Sequence, residues 1–119
     1  MRYNLTSNSW DKEEIDAIYK VIKHDFFTYG KYVSEFEQKF SKYFGVKYGI
    51  MVNSGSSANL ISIASLFYKK INPLKKGDEV IVPAISWSTT FYPLMQYGLK
   101  LKFVDVDLNT LNFKIEDIK

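Results

Sequence analysis

The chain has 119 residues, 46% apolar and 17% aromatic, with 24% charged and a net charge of +3, a composition that specifies a globular protein rather than a disordered segment. The absence of cysteine excludes disulfides and thiolate metal sites, and a single histidine leaves no basis for a histidine-built metal site, so no metal is expected. No apolar run approaches the roughly 20 residues of a bilayer span, the start Met1-Arg2-Tyr3-Asn4 has no apolar signal core, and the scattered lysines read as solvated surface rather than a nucleic-acid patch; a cytoplasmic location is the expectation.

Ile15, Ile18, Tyr19 and Ile22 follow the i, i+3, i+4, i+7 spacing, which predicts an amphipathic helix over about Asp11 to His24. Asp11 and Glu14 suit a reciprocal capping pair at its start. Asp25 to Gly30 is a linker. Val33, Phe36, Phe40, Tyr43 and Phe44 predict a second helix closed by Gly45. Tyr48 to Asn53 reads as a strand, and Leu60, Ile63, Ala64 and Phe67 mark a third helix ending at Lys69-Lys70. Pro73 to Asp78 is a turn. Glu79-Val80-Ile81-Val82-Pro83 is a buried-type strand stopped by its proline.

Ser86 to Gly98 is expected to be mostly helical, which Pro93 permits only from the first turn or through a kink. Leu101 to Val106 is a further strand, and Ile115 begins another helix. The order α, α, β-α-β-α-β predicts an α/β fold with a mostly parallel sheet and helical crossovers. Most aromatics lie at helical or strand spacing and are expected in the core, Trp10 among them. A three-stranded sheet without closing strands leaves long edges, and the expectation follows that these residues are the front part of a larger protein.

Between the strand ending at Asn53 and the third helix lies Asn53-Ser54-Gly55-Ser56-Ser57-Ala58-Asn59. A glycine permits a tight turn and close approach of an anion, the free N–H groups of a starting helix point at that anion, and serine hydroxyls add donors. The loop therefore reads either as a phosphate cradle or as an ordinary serine-capped helix start. It lacks the lysine of a Walker loop and the spacing of a dinucleotide fingerprint, so the phosphate need not belong to a nucleotide.

Taken together, Gly30 with Val33-Ser34-Glu35-Phe36-Glu37, the loop Val52 to Ala58 and Gly77-Asp78-Glu79-Val80-Ile81-Val82-Pro83 resemble, in this order and spacing, motifs of the DegT/DnrJ/StrS family of pyridoxal-phosphate-dependent sugar aminotransferases and dehydratases. The resemblance covers nearly the whole chain. It implies the N-terminal portion of the fold type I large domain, with residues 1–30 a helical segment and loop and residues 31–119 the first part of the cofactor-binding domain. Pro83 to Leu94, Gln96 to Leu99 and Leu74 to Glu79 are similar to the branch that dehydrates a GDP-4-keto-6-deoxyhexose at C-3, in deoxysugar and lipopolysaccharide O-antigen synthesis. The family residue that separates dehydratase from aminotransferase, a histidine or a lysine, has no counterpart here, so both activities stay open. A non-catalytic phosphate-binding module is the alternative of another class.

The resemblance implies that Gly55, Ser56 and Ser57 hold the 5′-phosphate of pyridoxal or pyridoxamine phosphate and that the ring of Trp87 stacks on its pyridine. Phe27, Thr28, Tyr29 and Gly30 match a loop near the nucleotide-sugar site, or pack as a hinge. At least two of Ser88, Thr89 and Thr90 are expected to cap the helix that follows. The family implies a nucleotide-sugar substrate, an amino donor such as glutamate, and a homodimer. It places no catalytic residue within this chain, which alone is expected to be inactive. His24 does not match the lysine-replacing histidine and is read as structural, and Asp105 and Asp107 share a face without a third metal ligand.

Overall fold

The computed structural model describes Asn4 and residues 6–118, and the chain divides into two units, residues 1–51 and 52–119. The first unit carries α1 (Lys12–Lys23) and α2 (Lys31–Phe44). The capping box at Asp11 forms as its residue types require: the Asp11 carboxylate accepts from the Glu13 N–H at 2.8 Å and Glu14 accepts from the Asp11 N–H at 2.9 Å. Gly45 ends α2 with φ 66°, and the bonds from the Gly45 N–H to the Lys42 carbonyl and from the Val46 N–H to the Ser41 carbonyl close a Schellman motif. Phe36, Phe40 and Phe44 run along one face of α2 with successive ring centroids 5.4 and 4.7 Å apart.

The second unit carries α3 (Gly55–Phe67), β1 (Glu79–Pro83), a 3-10 turn (Ser88–Thr90), α4 (Tyr92–Gln96), β2 (Lys100–Val104) and a last 3-10 turn (Ile115–Asp117). β1 and β2 pair in parallel, with Glu79 opposite Lys100 and Pro83 opposite Val104, so α4 forms the crossover between them. Val82, Leu94, Leu99 and Val104 are the buried core. Ile63 and Phe67 of α3, with Leu74 and Phe91, pack against that core. Pro93 falls in the first turn of α4, where its missing N–H costs nothing. Gly98 ends α4 at φ 73°, with the Leu99 N–H bonded to the Leu94 carbonyl at 3.0 Å. The Gly77 N–H reaches the Gly98 carbonyl at 2.8 Å and fastens the Pro73–Asp78 turn to the start of β2.

Two expectations fail. Tyr48 to Asn53 forms no strand: the only sheet among the described residues is the pair β1-β2, and an extended segment without a ladder partner is not a strand. The stretch Ser86 to Gly98 is mostly helical as expected, in two pieces, a 3-10 turn and one short α-helix that takes Pro93 in its first turn. The final segment makes a single 3-10 turn rather than a regular helix start. The aromatic faces are present at the expected spacing yet stay largely exposed, including Phe36, Phe40, Tyr43 and Trp10. Periodicity identifies a face and not what covers it.

Candidate functional site

The phosphate loop of the second unit is a helix start with free donors. Ser54 is the N-cap of α3 in extended conformation; its Oγ accepts from the Ser57 N–H at 3.2 Å and donates to the Ser57 Oγ at 3.2 Å. The Ala58 N–H is bonded to the Ser54 carbonyl at 3.0 Å. The Ser57 amide is thus engaged by the Ser54 cap. Among the described residues, nothing accepts from the N–H groups of Gly55 and Ser56 or bonds to the Ser56 hydroxyl. The loop has a serine cap at Ser54 and two unclaimed amides beside it. At the positive end of a helix dipole, that donor set fits a phosphate. Nothing lies within 4 Å of where a Cβ on Gly55 would stand, so the cradle is open.

The turn that follows β1 lies beside this loop. Ser56 and Ser57, from α3, share a hollow of about 310 Å³ with Ser88 and Thr89 of the 3-10 turn and with Tyr92, Pro93 and Gln96 of α4. The Asn59 Nδ2 donates to the Thr89 carbonyl at 3.3 Å and ties the second turn of α3 to that 3-10 turn. Trp87 opens the turn, and its carbonyl accepts from the Thr90 N–H at 2.9 Å. Trp87 is 72% exposed in this chain. Exposure does not single it out, since Trp10 is 62% exposed; its position at the head of the turn that lines the serine hollow does. Ser88, Thr89 and Thr90 do not cap α4. No side chain bonds at its N-terminus, and Thr90 pairs instead with the Ser86 hydroxyl at 2.8 Å. Pro93 in the first turn leaves fewer N–H groups to cap.

In the first unit, Phe27, Thr28 and Gly30 line a cavity of about 430 Å³ with His24, Lys31 and Tyr32. Tyr29 does not line it. Its hydroxyl donates to the Glu37 Oε2 at 2.8 Å. That hydrogen bond, and then the negative charge of Glu37, raise the Tyr29 phenol above its ordinary value. Glu37 was not singled out by sequence reasoning as a contact of this loop, because its partners stand 8 and 14 residues away in the chain. The Asp105 carboxylate accepts from the Val106 N–H, and the Asp107 carboxylate accepts from the N–H groups of Asn109 and Thr110. Both serve the local turn.

Comparison with known proteins gives the family. The DegT/DnrJ/EryC1/StrS aminotransferase family model matches residues 8–119. The chain is 57% identical over its whole length to the GDP-4-keto-6-deoxy-D-mannose 3-dehydratase of Escherichia coli O55:H7, spanning 31% of that protein. The Escherichia coli enzyme solved with bound hydrated PLP matches 97% of this chain and 30% of its own, at TM-score 0.87 and 58% identity. A variant of GDP-4-keto-6-deoxymannose-3-dehydratase solved with bound GDP-perosamine matches 98% of this chain and 30% of its own, at TM-score 0.88 and 57% identity. The chain spans about a third of the length of these relatives. It belongs to the DegT/DnrJ/EryC1/StrS aminotransferase family.

Proposed function

We propose that this chain contributes the cofactor-phosphate cradle and the stacking ring of a pyridoxal or pyridoxamine phosphate enzyme that removes the 3-hydroxyl of a GDP-4-keto-6-deoxyhexose. The observation that carries the reading is the shared hollow of Ser56 and Ser57 with Ser88 and Thr89, next to Trp87. The cofactor, when bound, supplies the electron sink. The Gly55 and Ser56 amides and the serine hydroxyls hold its phosphate. The Trp87 indole offers a flat, polarisable face to an electron-poor ring, and the Asn59 bond to the Thr89 carbonyl keeps the two halves in register.

In this reading Phe27, Thr28 and Gly30 face the nucleotide sugar, and residues 31–119 begin the cofactor-binding large domain after a helical segment at residues 1–30. Glutamate serves as amino donor, the enzyme is a homodimer of the cytoplasm, and neither nucleic acid nor membrane is a partner. Among the described residues no helix is long and apolar enough to cross a membrane. The identity to the Escherichia coli dehydratase favours dehydration over amino transfer.

A chimera tests the proposal. This chain replaces the matching segment of the Escherichia coli relative, and the product is incubated with a GDP-4-keto-6-deoxyhexose, pyridoxal phosphate and glutamate. A net loss of one oxygen from the sugar, read by mass spectrometry, is expected: the 3-hydroxyl leaves as water, a hydrogen takes its place, and glutamate, the two-electron donor, ends as 2-oxoglutarate and ammonia. A folded chimera that retains no cofactor refutes the cradle.

A further inference from the structure

Glu37 is the one carboxylate among the described residues whose two oxygens receive hydrogen bonds from separate stretches of chain. It lies on α2, half-buried. Its Oε2 accepts from the Tyr29 hydroxyl at 2.8 Å and its Oε1 accepts from the Met51 N–H at 2.8 Å. The segment carrying Met51 approaches α2 so closely that a Cβ on Gly49 would stand 3.0 Å from the Glu37 carbonyl oxygen. The loop is equally tight on its other side, where a Cβ on Gly30 would stand 2.8 Å from the Phe26 ring. Tyr29 is turned to Glu37 while its neighbours Phe27, Thr28 and Gly30 line the cavity. The loop has one residue committed to anchoring and three committed to the wall.

We propose that Glu37 is a positioning residue: its carboxylate holds the Tyr29 phenol and the Met51 amide together and so fixes the cavity wall formed by Phe27, Thr28 and Gly30. The part concerning ligand rests on the reading that this wall meets the nucleotide sugar. A lone exposed tyrosine–glutamate bond would do little. The second bond, to a backbone amide, is what converts a surface contact into a clamp between two segments, since a charge-assisted acceptor immobilises both at once.

The test uses the full chain with 13C-labelled tyrosine, Tyr29 being assigned by loss of its signal in Tyr29→Phe. In the parent chain Tyr29 titrates above 10.0, and in Glu37→Gln its midpoint falls back toward that value. Amide exchange of Met51 accelerates about tenfold in Glu37→Gln, and the backbone order parameters of residues 27–30 fall. With GDP as the probe, Glu37→Gln and Tyr29→Phe each weaken binding about threefold to tenfold, and the double variant weakens it no further. An unmoved Tyr29 midpoint with unchanged exchange overturns the clamp, as do additive losses of affinity. If the parent chain binds no GDP while midpoint and exchange respond, the clamp stands and the nucleotide role of the loop falls. Should Glu37→Gln not fold, Tyr29→Phe, which keeps the Met51 bond, carries the decision: the order parameters of residues 27–30 must fall while the Met51 amide stays protected, and unchanged order parameters overturn the proposal.

Discussion

Replacing Gly55 by alanine separates a role in folding from a role in binding. Gly55 is the first residue of α3, its φ lies outside the left-handed region, and a Cβ there would meet nothing within 4 Å. The fold has no use for the glycine. At a position whose backbone alanine can adopt, the substitution stabilises by about 0.4–1 kcal/mol through the unfolded chain. If the missing side chain instead lets a phosphate reach the Gly55 and Ser56 amides, the methyl group holds that anion off. Losing one hydrogen bond to a charged group costs about 1.5–3 kcal/mol. The lower figure applies to a cradle this open, and it corresponds to a dissociation constant raised about tenfold. Urea unfolding reads the first effect. Equilibrium titration with pyridoxal phosphate reads the second, with unphosphorylated pyridoxal as the control that should be indifferent to the methyl group. Unchanged affinity for pyridoxal phosphate, or equal loss for both ligands, would refute the assignment of Gly55 to the phosphate.

Gly98→Ala behaves oppositely. At φ 73° a left-handed alanine costs about 1–2 kcal/mol, and its Cβ would stand 2.7 Å from the Lys76 Cγ; Lys76→Ala should relieve only the steric part, so a double variant as stable as the parent in urea unfolding would contradict the backbone argument. Asp107 gives an acid-side prediction. The Thr110 and Asn109 N–H groups hold its carboxyl below the usual aspartate value of 3.8. A depressed folded value means that the turn gains stability above 3.8 and loses it as pH falls through the folded value. Exchange of the Asn109 and Thr110 amides should therefore quicken on acidification below that point in the parent and be pH-independent, beyond intrinsic chemistry, in Asp107→Asn. Ser54→Ala removes the α3 cap and should cost about 1 kcal/mol of helix stability; a smaller loss accompanied by tighter phosphate binding would show that the freed Ser57 amide takes over an anion.

Features determined within a few residues were readable in the chain. The Asp11–Glu14 box, the Gly45 closure of α2, the proline that stops β1 and the placement of Pro93 in a first turn all depend on local hydrogen-bond supply and allowed φ. Two kinds of feature were not. The first needs a partner remote in sequence. Tyr48 to Asn53 has strand-like residues but finds no strand to pair with among the described residues, and Glu37 gathers contacts across 8 and 14 positions that no spacing rule anticipates. The second is competition for one donor. Serines at positions 54, 56 and 57 are all suited to capping and to anion binding, and only the geometry assigns the Ser57 amide to Ser54 and leaves those of Gly55 and Ser56 free. The same competition explains why Thr90 bonds to Ser86 rather than to a helix end.

The most direct measurement is the fluorescence of Trp87 in a Trp10→Phe background, where it is the sole indole. Added pyridoxal phosphate should quench it saturably, and inorganic phosphate should reverse the quenching by competing for the amides of Gly55 and Ser56. Quenching that never saturates, or that phosphate leaves untouched, would contradict a single site built from that helix start and that ring.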